Sequence, residues 1–217
     1  VCHEGHFPKL TDLEVGFSRD GFHWHRPDRS GFIRGERTEG AWDRAYVHTT
    51  TGVFVVHEDE LVFPYCAYSG ETSTGHRDVY AGASIGLARL RRDGFASMDA
   101  GKQGGELTTR PVRFSGKELF VNSDALDGEL RVEVLDLDGT VLRQSIPFAR
   151  DTTAERILWE EESDLESLDG HAVRFRFRLV NGSLYSFWIS PDENGHSNGF
   201  LGAGGSTFSS LRDEPTP

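Results

Sequence analysis

The chain has 217 residues, enough for one large all-β domain or two small ones. Its 36% hydrophobic and 27% charged residues suit a folded chain rather than a disordered one. A net charge of -12 argues against a nucleic-acid partner, since phosphate binding needs a basic field, and no apolar run reaches the roughly 20 residues of a membrane helix. The 25 glycines and 15 phenylalanines point to many turns and aromatic strands, hence to a β-rich fold.

Residues 1–14 are polar and irregular, with His3, Glu4 and His6 close together but no third ligand at metal-binding spacing. Val15-Gly16-Phe17-Ser18-Arg19-Asp20-Gly21-Phe22 then reads as a strand running into an Asp-Gly turn. A second copy, from Ile85-Gly86-Leu87-Ala88 to Arg92-Asp93-Gly94-Phe95, follows roughly 70 residues later. In each copy the glycine is expected to take the positive φ and the aspartate to cap the turn. His23 and His25 share one face of the following strand, without a further metal ligand in view.

Three strands are predicted between the two copies: Tyr46 to Val56, Leu61 to Tyr68 and Val79 to Leu90. Residues 57–60 form a charged turn, and Pro64 argues for an edge or a bulge in the middle strand. Together they make one antiparallel meander of the kind that builds a propeller blade. Cys66 lies in an apolar strand and reads as a buried free thiol; whether it meets Cys2 is not determined by sequence.

The Gly-rich joint at residues 101–106 marks a candidate domain boundary. Seven short strands are predicted after it: Leu107 to Phe114, Glu118 to Asn122, Leu130 to Asp136, Thr140 to Gln144, Arg156 to Trp159, Ala172 to Val180 and Ser183 to Ile189. That density suggests a β-sandwich. Asp138-Gly139 and Asn181-Gly182 read as two-residue hairpin turns. In the second hairpin Leu179 would face Leu184 and Phe175 would pair with Trp188. Phe175, Phe177 and Leu179 would face the core. Arg174, Arg176 and Arg178 would share the other face with Tyr185, Phe187 and Ile189. The acidic run from Glu160 to Asp169 reads as a helical turn or a solvated loop, and residues 206–217 as a flexible tail. The fold class is thus all-β: a propeller-blade-like antiparallel meander over residues 1–100, then a β-sandwich over 101–205.

Several patterns could carry chemistry. Gly82-Ala83-Ser84-Ile85-Gly86 matches the Gly-x-Ser-x-Gly nucleophile elbow, which needs a strand, a strained turn and a helix; a strand packed with small residues is the simpler reading. Asp136-Leu137-Asp138-Gly139 opens like a calcium loop but lacks its closing Glu. Trp42-Asp43-Arg44 precedes the first blade strand, where a propeller's innermost strand borders the ligand channel. There Asp43 could act as acid, base or hydroxyl anchor, Arg44 could orient it, and Trp42 could stack on a sugar. Glu39 and His48 lie close enough in sequence to join them. The alternative is a blade corner with Trp42 buried and Asp43 paired to Arg44. No metal and no cofactor are expected.

Ser18-Arg19-Asp20-Gly21-Phe22-His23-Trp24-His25-Arg26 resembles the S-x-D-G-x-x-W-x-R strand ends of bacterial five-bladed propeller proteins related to glycoside hydrolase families 32, 43 and 68. Gly40-Ala41-Trp42-Asp43 resembles their blade-opening segment, and Ile85 to Ala100 their last closing strand. Leu107-Thr108-Thr109-Arg110-Pro111 resembles the start of the sandwich that follows the propeller. The likeness spans residues 15–205. It implies a carbohydrate-active protein, secreted or periplasmic, of which this chain is the C-terminal portion.

The resemblance also implies two-carboxylate glycosidase chemistry, whose main carboxylates would lie in blades outside this chain. Arg26-Pro27-Asp28 does not match the family's Arg-Asp-Pro segment, and only Asp43 has a plausible channel position as a catalytic residue. Open blade edges imply a partner, either the missing N-terminal propeller portion or a second copy of the chain. The two other functional readings are a non-catalytic carbohydrate-binding sandwich module, with the arginine and aromatic face as its platform, and a serine esterase using Ser84.

Overall fold

The computed structural model describes residues 9–49, 54–161, 164–201, 208 and 210–214. It is all-β with antiparallel sheets, and it divides into two compact units, residues 1–90 and 91–217.

In the first unit β1 (Phe17–Ser18) pairs with β2 (Trp24–His25) in a two-stranded hairpin around the first Arg-Asp-Gly-Phe. The meander follows as β3 (Tyr46–Thr49), β4 (Val55–His57), β5 (Glu60–Tyr68) and β6 (Ala83–Arg91). β3 pairs with residues 65–68 of β5, β4 pairs with residues 60–62, and β6 pairs with β5 as well. β3 and β4 thus act as one interrupted strand. Pro64 falls between the two pairings, across which the register shifts. Glu58 and Asp59 make the two-residue turn from β4 to β5, with Glu58 at φ 53°.

Irregular segments are stitched to this meander by side chains. Thr11 Oγ1 donates to Val47 O (2.8 Å) and accepts from Val47 N (2.9 Å). The Arg37 guanidinium reaches Arg44 O (3.0 Å), Ala45 O (3.2 Å) and Asp12 Oδ1 (2.5 Å). Buried loop carbonyls that no ladder satisfies thereby gain donors.

The second unit is a β-sandwich. Its strands are β7 (Met98–Ala100), β8 (Gly105–Thr108), β9 (Glu118–Asp124), β10 (Glu129–Leu135), β11 (Val141–Gln144), β12 (Asp151–Arg156), β13 (Arg174–Val180) and β14 (Gly182–Ser190). One sheet runs β11-β10-β13-β8 and the other β12-β9-β14-β7. Leu119 and Val121 of β9, Val132 and Val134 of β10, and Phe175 and Phe177 of β13 alternate inward and fill the core. Glu166–Leu168 is a 3₁₀ turn within the acidic run. The fifth predicted strand lies earlier than expected, at β12 rather than Arg156 to Trp159, and Met98–Ala100 adds a strand that the turn-based reading passed over.

Asn181-Gly182 does not close a hairpin. β13 bonds to β10 and β8, whereas β14 bonds to β9 and β7, so the pair carries the chain from one sheet to the other. The Asn-Gly preference for left-handed backbone serves this crossing equally well: Asn181 has φ 46°, its N donates to Gly101 O (3.0 Å) and its Nδ2 to Asp127 O (2.8 Å).

The predicted arginine and aromatic face therefore does not form. Arg176 and Arg178 project from the first sheet and pair with the buried Glu133; Arg178 also meets Glu106 (3.6 Å). A register shift at Tyr185 turns Phe187 and Ile189 of β14 into the core, and Phe187 packs on Phe177 (4.8 Å between ring centroids). Trp188 points outward and stacks on Phe120 at 5.6 Å. The Asp136 turn is a hairpin between β10 and β11, but Asp136 shapes it: its Oδ1 accepts from Asp138 N (2.9 Å) and Thr140 N (2.8 Å).

Part of the segment assigned to a flexible tail is anchored. Leu201 N donates to Leu211 O (3.0 Å), Asn198 N donates to Asp213 O (2.9 Å), and Asp213 is buried.

The sheet crossing can be tested by one methyl group. A Cβ on Gly182 would lie 2.4 Å from Asp124 O, whereas one on Gly101 meets nothing within 4 Å. Gly182→Ala should therefore lose about 1–3 kcal/mol in chemical denaturation, as overpacking does, and Gly101→Ala much less. Equal losses would contradict the crossing.

Candidate functional site

The two Arg-Asp-Gly-Phe copies fold differently. In the first, Gly21 takes φ 76° and the Asp20 carboxylate caps the turn, its Oδ1 accepting from Phe22 N (2.9 Å) and His23 N (2.8 Å). His23 Nδ1 meets Asp20 Oδ2 at 2.6 Å. The His23 bonds, backbone and ring, and the Phe22 amide hold the Asp20 carboxyl far below its usual range. In the second copy the aspartate itself, Asp93, takes the positive φ of 53°, and Gly94 N donates to Arg91 O (2.9 Å). The left-handed residue is thus the glycine in one copy and the aspartate in the other, and the Asp93 carboxyl makes no turn cap among the described residues.

Of the residues singled out by sequence, Asp43 is the most unusual. It is 8% exposed, and its Oδ1 is buried with no hydrogen-bond partner among the described residues. The expected Asp43–Arg44 pairing is not formed among them; the Arg44 carbonyl instead accepts from Arg37. A buried acceptor without a donor costs about 1–3 kcal/mol, so the site favours whatever supplies a hydroxyl or N–H.

Trp42 is not the buried corner residue of the alternative reading. It is 39% exposed, and its ring meets Tyr65 at 5.7 Å between centroids. Burial raises the Tyr65 hydroxyl above its ordinary value, and the Asp43 charge raises it further. Gly86 makes this pairing possible: a Cβ there would lie 2.7 Å from the Trp42 ring and 2.6 Å from the Tyr65 ring.

His48 lies on the opposite face of the meander. The register places Tyr65 and Ala67 with Thr49 and Val47, and Tyr68 and Cys66 with Tyr46 and His48. There His48 stacks on Tyr68 (5.9 Å, 19°), and Tyr46, Tyr68 and Tyr80 are in mutual ring contact. His48 Nδ1 lies 2.7 Å from Thr49 O. Glu39 is exposed in the turn that precedes Ala41, and Arg44 is half-buried. The predicted constellation therefore keeps Trp42 and Asp43 together, gains Tyr65, and leaves His48 on the far face.

Ser84 is the second residue of β6, an exposed position inside a nine-residue strand; no helix follows it among the described residues. Cys66 is a free, half-buried thiol, and Cys2 lies outside the described residues, as do His3, Glu4 and His6. Among the described residues no group of three or more His, Cys, Asp or Glu could hold a metal ion.

Sequence reasoning missed a second polar cluster, in the sandwich unit. Asp213 accepts from Ser197 N (2.9 Å) and Ser197 Oγ (2.9 Å), its Oδ1 lies 3.2 Å from His196 Nδ1, and Arg92 Nη2 stands 3.7 Å away. Burial alone would raise the Asp213 carboxyl, but the Ser197 and His196 bonds and the Arg92 charge outweigh it and hold the group below 3.8. Asp93 moves the opposite way: displacement of water raises it, the Arg92 charge opposes that rise, and Asp213 adds to it. The partners come from residues 92, 93, 196, 197 and 213, too far apart in sequence for any local pattern to reveal.

No protein-family model matches this sequence, and neither a curated protein nor a solved structure matches the chain.

The Asp213 network has a pH signature. A carboxyl whose folded value is depressed stabilises the fold above its unfolded value and loses that contribution as pH falls through the folded one. Contacts of residues 196–199 with Asp213 should therefore hold at neutral pH and weaken below about 3.8. Amide protection factors at Ser197 and Asn198, corrected for the intrinsic pH dependence of exchange, should fall in that range, and Asp213→Asn should flatten the dependence. Protection in the wild-type protein that ignores pH down to the folded value would contradict this assignment.

Proposed function

We propose that the chain is the C-terminal portion of a carbohydrate-active protein of the propeller glycoside-hydrolase type, and that residues 42, 43 and 65 contact the sugar. The observation that carries this reading is the buried Asp43 carboxylate, whose Oδ1 has no partner among the described residues, set beside the Trp42–Tyr65 ring pair. A sugar ring presents an apolar face for stacking and hydroxyls for a carboxylate, which are the two functions this corner supplies. In the glycosidase reading Asp43 accepts a substrate hydroxyl proton or orients the substrate, and the second carboxylate comes from the missing propeller portion. Glu39 and Arg44 would line the approach to the site. The partner is that missing portion or a second copy of the chain, and secretion or a periplasmic location goes with the family resemblance.

The alternative of a non-catalytic carbohydrate-binding module draws on the same rings, without turnover. Chromogenic glycosides and a panel of oligosaccharides, tested on the protein as it exists, separate the readings. In the enzyme reading, hydrolysis falls at least a hundredfold in Asp43→Asn. In the binding reading, oligosaccharides are retained without turnover and affinity drops about tenfold in Trp42→Ala. Neither hydrolysis nor retention with any sugar would sink both.

A further inference from the structure

We propose that a cavity bounded by Arg92, Asp93, Ser186, Trp188, Asn194 and His196 is a second binding site, for a neutral polyhydroxylated ligand such as a single sugar residue. It lies wholly within residues 91–217 and does not rest on Asp43. Its volume of about 550 Å³ falls among those of small-molecule sites.

The Arg92 and Asp213 charges in the cavity are already committed, which selects against anions. Arg92 stands between two carboxylates, 3.9 Å from Asp93 and 3.7 Å from Asp213, with the Phe208 ring 5.5 Å from its guanidinium. An anion would have to compete with both aspartates for it. Asp213 is equally committed, one oxygen to His196 and the other to Ser197. A metal ion would find no set of three free ligands among the described residues.

What remains open is a mixture of donors and acceptors around an aromatic ring. Ser186 Oγ is buried and has no hydrogen-bond partner among the described residues. His196 turns Nδ1 toward Asp213, and its other ring nitrogen has no hydrogen bond shown among the described residues. The Asp93 side chain is 59% exposed and free of turn duty, so its carboxylate can accept from a hydroxyl. Trp188 is held rigid: its Nε1 donates to Gly195 O (2.9 Å) and its ring stacks on Phe120. Hydroxyls both donate and accept, and a pyranose face stacks on indole; among small neutral molecules a sugar meets all of these demands.

The test uses the full chain with D-glucose, D-galactose and D-fructose as probes, followed by saturation-transfer NMR. Inorganic phosphate and magnesium, which carry no protons that report transfer, serve as charged controls read by displacement of the sugar signal. Transfer is expected from at least one sugar and binding from neither control. Asp93→Asn keeps the left-handed turn, since Asn accepts positive φ, and should weaken binding about tenfold. Ser186→Ala should weaken it several-fold. All of these measurements are made on the full chain carrying Trp42→Ala and Asp43→Asn, so that sugar held at the Asp43 corner does not contribute. The site is refuted if no sugar shows transfer or if a charged control binds in its place. Transfer that persists unaltered when Asp93→Asn and Ser186→Ala are each added to that background would likewise refute it.

Discussion

The placement of the second Arg-Asp-Gly-Phe turn depends on one guanidinium. Arg91 donates to Asn122 Oδ1 (2.6 Å), Asp151 Oδ1 (2.5 Å), Ser123 O (3.1 Å) and Thr152 O, and packs over the Tyr185 ring at 4.7 Å. Three strands of one sheet, β9, β12 and β14, are thereby tied to a single side chain. Asn122 returns a bond from its Nδ2 to Arg92 O. Charge-assisted bonds of this kind contribute about 1.5–3 kcal/mol each when their partners would otherwise be left unsatisfied. Because β12 meets β9 through a shifted register, its carbonyls near Thr152 lack regular ladder partners, and Arg91 takes their place. Arg92 and Asp93 are then carried to the outer surface of that sheet, where Trp188 and the 194–197 loop complete a cavity around them.

The broad architecture was legible because hydrophobic alternation survives whatever the connections do. Phe175, Phe177 and Leu179 face inward in either register of β13, so the core face followed from the sequence alone. The connection at Asn181-Gly182 did not. The dipeptide encodes a left-handed residue followed by a small one, a local demand that a hairpin and a sheet crossing both meet. What decides between them is the competition of β8, β9 and β10 for the edges of β13 and β14, which is a long-range matter. The bulge at Tyr185 is likewise invisible in a strand of apolar and polar residues, yet it reverses the faces of Phe187 and Trp188.

The repeated turn teaches the same lesson at closer range. Arg-Asp-Gly-Phe offers two residues able to adopt positive φ, Asp and Gly, and the flanking structure selects one. Where β1 and β2 form a tight hairpin, Gly21 is chosen and Asp20 is consumed as a cap. Where β6 leaves its sheet, Asp93 is chosen and its carboxyl is freed. A motif that looks like one device used twice thus yields a structural aspartate in one copy and an available one in the other. The candidate residues of the first unit were partly legible for a related reason: Trp42 and Asp43 are adjacent, whereas Tyr65 joins them only through the strand pairing that Gly86 permits.

Asp43, Asp93 and Asp213 show three degrees to which neighbouring groups compensate a carboxylate. Asp213 is fully compensated, and compensation fixes it as structure: its donors hold the C-terminal segment in place and leave its oxygens nothing to offer a ligand. Asp93 is half compensated, by an arginine it shares with Asp213, and retains accessible surface. At Asp43 one buried oxygen lacks any donor among the described residues. A fold selected for stability alone would fill that position with an apolar side chain or give it a donor, since the unsatisfied group costs more than a mean hydrogen bond returns. At Asp43 that cost is left unanswered among the described residues, beside a Trp42 ring that is 39% exposed.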